Sequence, residues 1–512
     1  MRIAHFTLAV QIFFLTNLLA QPGTFDHTFS DDGIALIQAG SQSNIAWDME
    51  VAPDGAIWLA GVINDDGFRL GLCKLTSEGS LDLGFGEGGY VAHQIEGHPS
   101  WAYGLAIQPD GKLVVAGQID IGNNNEMLLV RLLPDTGLPD TTFGENGAVI
   151  LPNTYEARDV IVDQTGRILL CGYIFSGTSA RFYVARFLPN GQPDGAFGQG
   201  GAYISSYSPA DYLEELMVLP DGKILAVGRT IESTFGGSFA LLRLSENGVE
   251  DPTFSGDGLA EARITSCENC EFAYHLALHS DGRIVVVGTS DQVLAVARFL
   301  PDGAIDPSFG NDGVVLEPIP IASIGRGIVV QPDDKIVVAG YGWTAGVPQH
   351  FFLAIRYNED GSRDLEFAQD GLIQEDLLQD GIADFALCAA LQNDGKILIA
   401  GYSGMHFLVV RLISGLAFCE KEDEISTDQV KWLCNPVRGP FLFLQVHSCE
   451  NQSISLSIYD PAGRRVETQV RQILAGPQRL EVDLGASLIP GVYFLQVHFP
   501  SGSQTIKFLV VP

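Results

Sequence analysis

The sequence predicts an all-β protein: a seven-bladed β-propeller of four-stranded repeats followed by a small Ig-like β-sandwich. The first of three observations behind this is a tight-turn signature that recurs seven times at roughly 55-residue spacing, as PDGA at Pro53, PDGK at Pro109, QTGR at Gln164, PDGK at Pro220, SDGR at Ser280, PDDK at Pro332 and NDGK at Asn393. Second, six residues beyond the third position of each turn stands another glycine (Gly61, Gly117, Gly172, Gly228, Gly288, Gly340 and Gly401) at the end of a short apolar run. Third, no stretch with a helical period is long enough to insert a helix into the unit. Several copies of four short strands each are the mark of a propeller.

Each unit holds four strands, a to d. Strand a follows an F-x-x-x-G, strand b leads into the turn, strand c leaves it, and strand d carries a basic residue: Lys74, Arg131, Arg186, Arg243, Arg298, Arg356 or Arg411. Strands of five or six residues fill such a unit. Strands b and c are apolar on both faces, as expected for blade centres. After strand d comes D-x-x-F-x-x-x-G, as in Asp251 to Gly258, with its Asp eight or nine positions beyond the basic residue in six units. Arg411 has no such motif after it, whereas Asp26 has one with no basic strand before it. Only a circle pairs them, so the segment Gly23 to Gly33 is expected to dock beside the last blade and shut the ring.

Hydrophobic residues make up 46% of the 512, charged residues 18%, and 58 positions are glycine, which excludes a disordered tail, a coiled coil and a collagen. Charge arithmetic, 29 − 62 = −33, makes nucleic acid and anionic membrane surfaces poor partners. Residues 1–20 carry Arg2 and then an apolar run from Phe6 to Ala20, too short to span a bilayer and laid out as a cleavable signal peptide. The mature chain is expected outside the cell, secreted or on the outer-membrane surface, with no transmembrane anchor. Cys73, Cys171 and Cys388 lie in apolar runs and read as small hydrophobes, while Cys267 and Cys270 suit a local loop disulfide. No metal site is expected. Ca²⁺ could sit at Asp/Asn-Gly turns such as Asp31-Asp32-Gly33 and Asn311-Asp312-Gly313, which are explained more simply as type I turns with a left-handed Gly.

The repeat, with L-x-x-x-F-G, Q-P-D-G-K-I-V-V-A-G and V-A-R-F-L-P-D-G, resembles the bacterial Delta-60 repeat over residues 21–418. That family implies a propeller in an exported protein and supplies no reaction. Units one and six depart from it, with Ala56 in place of Lys and Asp334 in place of Gly, so those turns are expected to differ. Residues 419–430 read as a linker. Residues 431–512 resemble the C-terminal sorting domain of the type IX secretion system of Bacteroidetes, through Asn435-Pro436, YDPAGRRV at Tyr459 to Val466, and GVYFLQV from Gly491 through Tyr493 to Val497. This resemblance implies export in two steps, with the secretion machinery as partner and the domain removed on the way.

The spacings separate the two ends of the propeller. Across b–c they are fixed, but from the strand-c Gly to the basic residue they range from 10 (Gly288 to Arg298) to 16 (Gly340 to Arg356). The variable end is the better candidate for recognition. There, the residue pairs expected at the start of strand b change from unit to unit: Trp47 and Asp48, Tyr103 and Gly104, Arg158 and Asp159, Glu214 and Glu215, Tyr274 and His275, Arg326 and Gly327, Leu387 and Cys388. Such a mixture suits a glycan or protein ligand, or it simply rims a wet channel. A catalytic alternative, a polysaccharide hydrolase or lyase, would use Asp159 with Glu214 or Glu215. His275 and His279 would stand too far apart along a strand to share a metal.

Overall fold

The structure is a computed structural model that describes residues 21–415, apart from short gaps at 123, 206–209, 233–235, 266–269 and 348, and, beyond residue 428, the strands between Gln429 and Val511. The signal-peptide reading (1–20), Cys267, Asn435 and Pro436 lie outside the described residues.

Within residues 34–412 the strands form five antiparallel four-stranded sheets and one eight-stranded sheet made of two such sets joined by a single parallel bridge, Ala180 to Ala210, so they fall into seven sets of four. The first set runs Asn44–Val51, Ile57–Asn64, Phe68–Leu75, Tyr90–His93. The last runs Asp384–Leu391, Ile397–Ser403, His406–Leu412, and takes its fourth strand, Ile34–Ile37, from the start of the chain. The first strand of each set packs against the first strand of the next, and that of the seventh packs against Asn44–Val51, so the sets form a closed ring. The chain is an all-β propeller.

Two details differ from the sequence reading. The strand after each F-x-x-x-G is not the first strand of its own blade; it pairs outside the basic strand of the preceding one, as Tyr90–His93 does on Phe68–Leu75. The fully buried blade centres are strands c and d rather than b and c. Ile57–Asn64 is buried along nearly its whole length, whereas Asn44–Val51 alternates between buried and half-buried positions. The reason is geometric: strand b is the innermost and has a neighbouring strand in its sheet on one side only, the other side facing the axis.

The core lies between blades. Met49 and Leu59 of the first blade pack with Cys388, Leu398 and Phe407 of the last, and Leu169 and Val184 pack with Leu213 and Ala226 of the next blade. Burying such side chains is worth about 1.5–3 kcal/mol each. Cys73, Cys171 and Cys388 are buried free thiols, and Cys270 is disulfide-bonded.

At the periphery, the repeated Arg and Asp form one recurring unit. Arg298 donates through Nε to Asp306 Oδ2 (2.7 Å), stacks 4.7 Å from the Phe309 ring, and donates through Nη1 to the backbone carbonyl of Glu359 in the following unit. Arg243 does the same with Asp251 (2.8 Å), Phe254 (4.4 Å) and Pro301 O (2.6 Å). Each arginine therefore ties its own blade to the next. Arg411 Nε lies 2.8 Å from Asp26 Oδ2 and Arg411 Nη1 donates to Ser77 O in the first blade at 2.8 Å. The turns of units one and six keep the common shape. Gly55 has φ 87°, and Asp334 occupies the same left-handed region at 62°, its carboxylate accepting from the Ser280 amide (3.0 Å) and hydroxyl (2.8 Å). A carboxylate anchored in the neighbouring turn offsets the strain that a non-glycine residue meets there. At Asp31-Asp32-Gly33, Asp32 Oδ1 accepts the Ile34 amide at 2.9 Å. That carboxylate is engaged in turn formation, and among the described residues no three His, Cys, Asp or Glu are grouped to hold a metal.

Beyond residue 428 the strands form a three-stranded and a five-stranded sheet, the arrangement expected of a small sandwich. Gly491 pairs with Val510 and Tyr493 with Phe508 at the start of a long hairpin.

Candidate functional site: an axial ring set by seven bulges

The strand-c glycine has a steric purpose. A Cβ on Gly61 would lie 1.8 Å from the Ile45 carbonyl oxygen, and one on Gly172 would lie 2.0 Å from that of Glu156. Only a residue without a side chain admits that approach. Opposite each of the seven glycines the innermost strand shifts register by one residue, a β-bulge. The residues passed over are Trp47, Tyr103, Arg158, Glu214, Tyr274, Arg326 and Leu387. The variable residues thus sit inside strand b rather than at its start, because each strand begins about three residues earlier than the turn spacing suggested.

The bulged residues meet one another around the axis. The Trp47 and Tyr103 rings are 5.8 Å apart, edge to face. Arg158 lies 5.2 Å over Tyr103 and forms ion pairs with Glu156 (3.2 Å) and Glu214 (3.5 Å). Arg326 lies 4.0 Å over Tyr274 and 5.8 Å over Trp47.

The second residue of each pair works beneath this ring. Asp48 accepts the Met49 amide through Oδ1 and, through Oδ2, the Leu105 amide of the next blade, both at 2.7 Å. Asp159 repeats the arrangement with Val160 (2.7 Å) and Leu216 (3.0 Å), and Glu215 Oε2 accepts the Leu276 amide (2.5 Å). Where the residue is glycine, the next blade approaches directly: a Cβ on Gly104 would stand 2.8 Å from Asp159 Cα, and one on Gly327 would stand 2.7 Å from Ala389 N. These carboxylates are inter-blade ties, and the pairing of Asp159 with Glu214 or Glu215 for hydrolysis finds Asp159 holding two amides.

The acids here are hard to ionise. Burial pushes Asp48 up against the pull of its two amide donors, and pushes Asp159 well up with help from the charges of Asp48 and Glu215. Burial and Asp48 raise Glu50 to about 7. Burial disfavours charge on His275, but Glu215, 3.4 Å from its Nδ1, holds its pKa above the ordinary value. His279 instead faces Asp334 (3.4 Å), so the two histidines serve different partners.

The sequence reading missed a second tier beside the ring. Tyr155, Tyr173, Phe175 and Tyr212 form one aromatic cluster. Tyr341, Trp343, His350, Phe385 and Tyr402 form another, with Phe385 and Tyr402 stacked at 4.4 Å. Arg229 lies 4.5 Å over Tyr212 and 3.9 Å over Phe272. Phe68 and Phe175 at this end are each 44% exposed. The signal was present: Tyr173, Arg229, Tyr341 and Tyr402 each follow the strand-c glycine directly, and Tyr212, Phe272 and Phe385 stand two residues before a bulge.

Fold and site together define a β-propeller with a built, aromatic-rich variable face. The family described as a domain of unknown function (DUF5122) β-propeller matches residues 108–143, 164–197, 219–254, 279–309 and 331–367, the run from turn to D-x-x-F in the five central units. No curated protein matches the chain. Among solved structures it is similar to PorZ, an essential surface component of the type IX secretion system of Porphyromonas gingivalis, at 14% identity and a TM-score of 0.42. That match covers 91% of this chain and 59% of the PorZ chain. A glucose dehydrogenase matches at 13% identity and 0.33, over 60% of this chain and 95% of its own. Prolyl oligopeptidase B from Galerina marginata matches at 10% and 0.34, over 73% and 46%. Likeness at this level assigns no activity.

Proposed function

We propose that the chain is an exported, cell-surface or secreted binding protein whose propeller holds a glycan or protein ligand at its variable face. The observation that carries this reading is the bulge-presented ring: the scaffold repeats seven times, yet the side chains it turns toward the axis differ between neighbouring blades and are rich in Trp, Tyr and Arg, the residues that dominate recognition surfaces. Export rests on the leader-like residues 1–20 and on the resemblance of the propeller to Delta-60 repeats and of residues 431–512 to type IX sorting domains. Under this reading the domains are leader (1–20), propeller (21–418), linker (419–430) and sorting domain (431–512).

Two measurements test the proposal. Mass spectrometry of the protein recovered from culture medium or cell surface should find the mature N-terminus near Gln21 and a C-terminus between 413 and 430; intact Pro512 on every molecule would defeat the sorting-domain part. A glycan array on the full chain, run beside a reducing-sugar release assay, should show binding without turnover. Product release lost in Asp159→Ala or Glu214→Ala would replace binding by hydrolysis or lysis.

A further inference from the structure

Arg229 and Arg326 differ from the arginines of the periphery. Arg131, Arg186, Arg243, Arg298, Arg356 and Arg411 each set Nε against an Asp carboxylate and Nη1 against a backbone carbonyl. Arg229 is flanked by the Tyr212 and Phe272 rings and Arg326 by Tyr274 and Trp47, and among the described residues neither guanidinium has an ion pair or a hydrogen bond. Arg229 Nε is buried and lacks an acceptor. The two arginines are joined by Phe272 and Tyr274, stacked at 6.2 Å and 14°, so one ladder runs Arg229, Phe272, Tyr274, Arg326, Trp47.

An acidic chain had many chances to neutralise these cations, with 62 Asp and Glu against 29 Lys and Arg. The nearby acids are otherwise engaged: Glu214 with Arg158, Asp48 with two backbone amides, Glu215 with Leu276 N–H and His275. A guanidinium whose faces are covered by rings keeps its N–H donors at the edge, and donors left desolvated are costly until an acceptor arrives. The matching acceptor is a planar or tetrahedral oxyanion that takes two parallel N–H bonds. The rings between the two cations are stacked on each other and under the guanidinium groups, so what the ladder offers a ligand is a row of apolar ring edges, against which the C–H face of a pyranose ring can rest.

We propose, building on the binding-face reading above, that the ligand is an anionic polysaccharide: sugar rings rest along the edges of Phe272, Tyr274 and Trp47 while carboxylate or sulfate groups engage Arg229 and Arg326. The geometry favours a sugar over an acidic peptide because the two arginines are spaced by stacked aromatic rings rather than by backbone-binding donors.

The test is calorimetric titration of the full chain with four probes: an oligogalacturonate hexamer, a chondroitin sulfate hexamer, a neutral cellohexaose and a poly-glutamate peptide. At least one of the two anionic sugars should bind, and which one does identifies carboxylate or sulfate as the anion. Cellohexaose should bind at least tenfold more weakly. Arg326→Gln and Arg229→Gln should each weaken the anionic sugar about tenfold, Arg326→Lys less, with melting temperatures near wild type. Neutral and anionic sugars bound equally, with both Gln variants silent, would overturn this inference and leave the binding-face reading standing. So would poly-glutamate binding in place of sugar. No binding of any probe, with the array also blank, would remove both.

Discussion

The outer and inner rings of this propeller use the same residue types to opposite effect. At the periphery, burial disfavours a charged Asp26, Asp251 or Asp306, yet the Thr or Ser hydroxyl and amide two residues on, together with the neighbouring Arg, bring each carboxyl below the ordinary value. At the axis, Asp48, Glu50 and Asp159 stand higher than ordinary because burial dominates and their near neighbours are other acids. A carboxylate that brings its own cation in every repeat is held in its charged form although buried; one that serves only as a tie between amides is pushed toward its neutral form. The first arrangement is copied because it holds blades together. The second varies because the same junction between blades can be made by a carboxylate, as at Asp48 and Asp159, or by direct backbone approach, as at Gly104 and Gly327.

The contrast can be broken from either side. The largest effect is expected at the glycine that both rings depend on: Gly228→Val would place a side chain where the Tyr212 carbonyl oxygen stands 1.9 Å from a Cβ position. The bulge has no alternative geometry there, so loss exceeding about 4 kcal/mol is expected; purified Gly228→Val showing native far-UV circular dichroism would refute the steric account. Next come Asp26→Ala and Asp251→Ala. Each removes the buried carboxylate of a buried arginine, leaving Arg243 without an acid and Arg411 with only the exposed Glu78, so about 3 kcal/mol is expected from both, read as similar drops in denaturation midpoint. If only Asp251→Ala were costly, closure of the ring through Asp26 would be wrong.

Glu50→Gln should act in the opposite direction. A carboxyl raised to about 7 from its ordinary 4.5 adds stability below about pH 4.5 that is lost as pH rises to about 7. Replacing Glu50 should therefore leave acid stability unchanged and raise stability above pH 7 by up to about 3 kcal/mol. The peripheral aspartates do the reverse, losing their contribution as pH falls below about 4. Melting curves from pH 3 to 9 separate the two, and a Glu50→Gln profile parallel to wild type would show that Glu50 is freely solvated. Smallest is Arg326→Gln, whose ring contacts alone should cost no more than about 1 kcal/mol. A larger fall in midpoint would make Arg326 a structural residue like Arg298 and blunt the distinction.

Much of the fold could be read from residue spacing. The seven turns, the strand-c glycines and the Arg–Asp offset of eight or nine are local regularities, and the unmatched ends Asp26 and Arg411 imply a circle without any coordinate. The position of Trp47, Arg158 and Arg326 within the strand could not be read the same way, because a bulge leaves no fixed residue type, only the glycine across from it. Nor could Arg229 be singled out. Its place directly after a strand-c glycine marks the position, but its lack of an acid does not show in sequence, because its partners Tyr212 and Phe272 lie on its own and the following blade.

By itself, the sequence determined the repeat count, the turn chemistry and the ion pairs, since each is specified by residues within one unit or at a constant offset. Only the tertiary structure decided which strand is innermost, that the fourth strand of each blade comes from the next unit, and which arginines go without an acid. Those outcomes depend on contacts between residues about 55 positions apart, whose meeting is set by the angle between blades and the approach of backbones at Gly61 and its counterparts, and no local pattern encodes that angle.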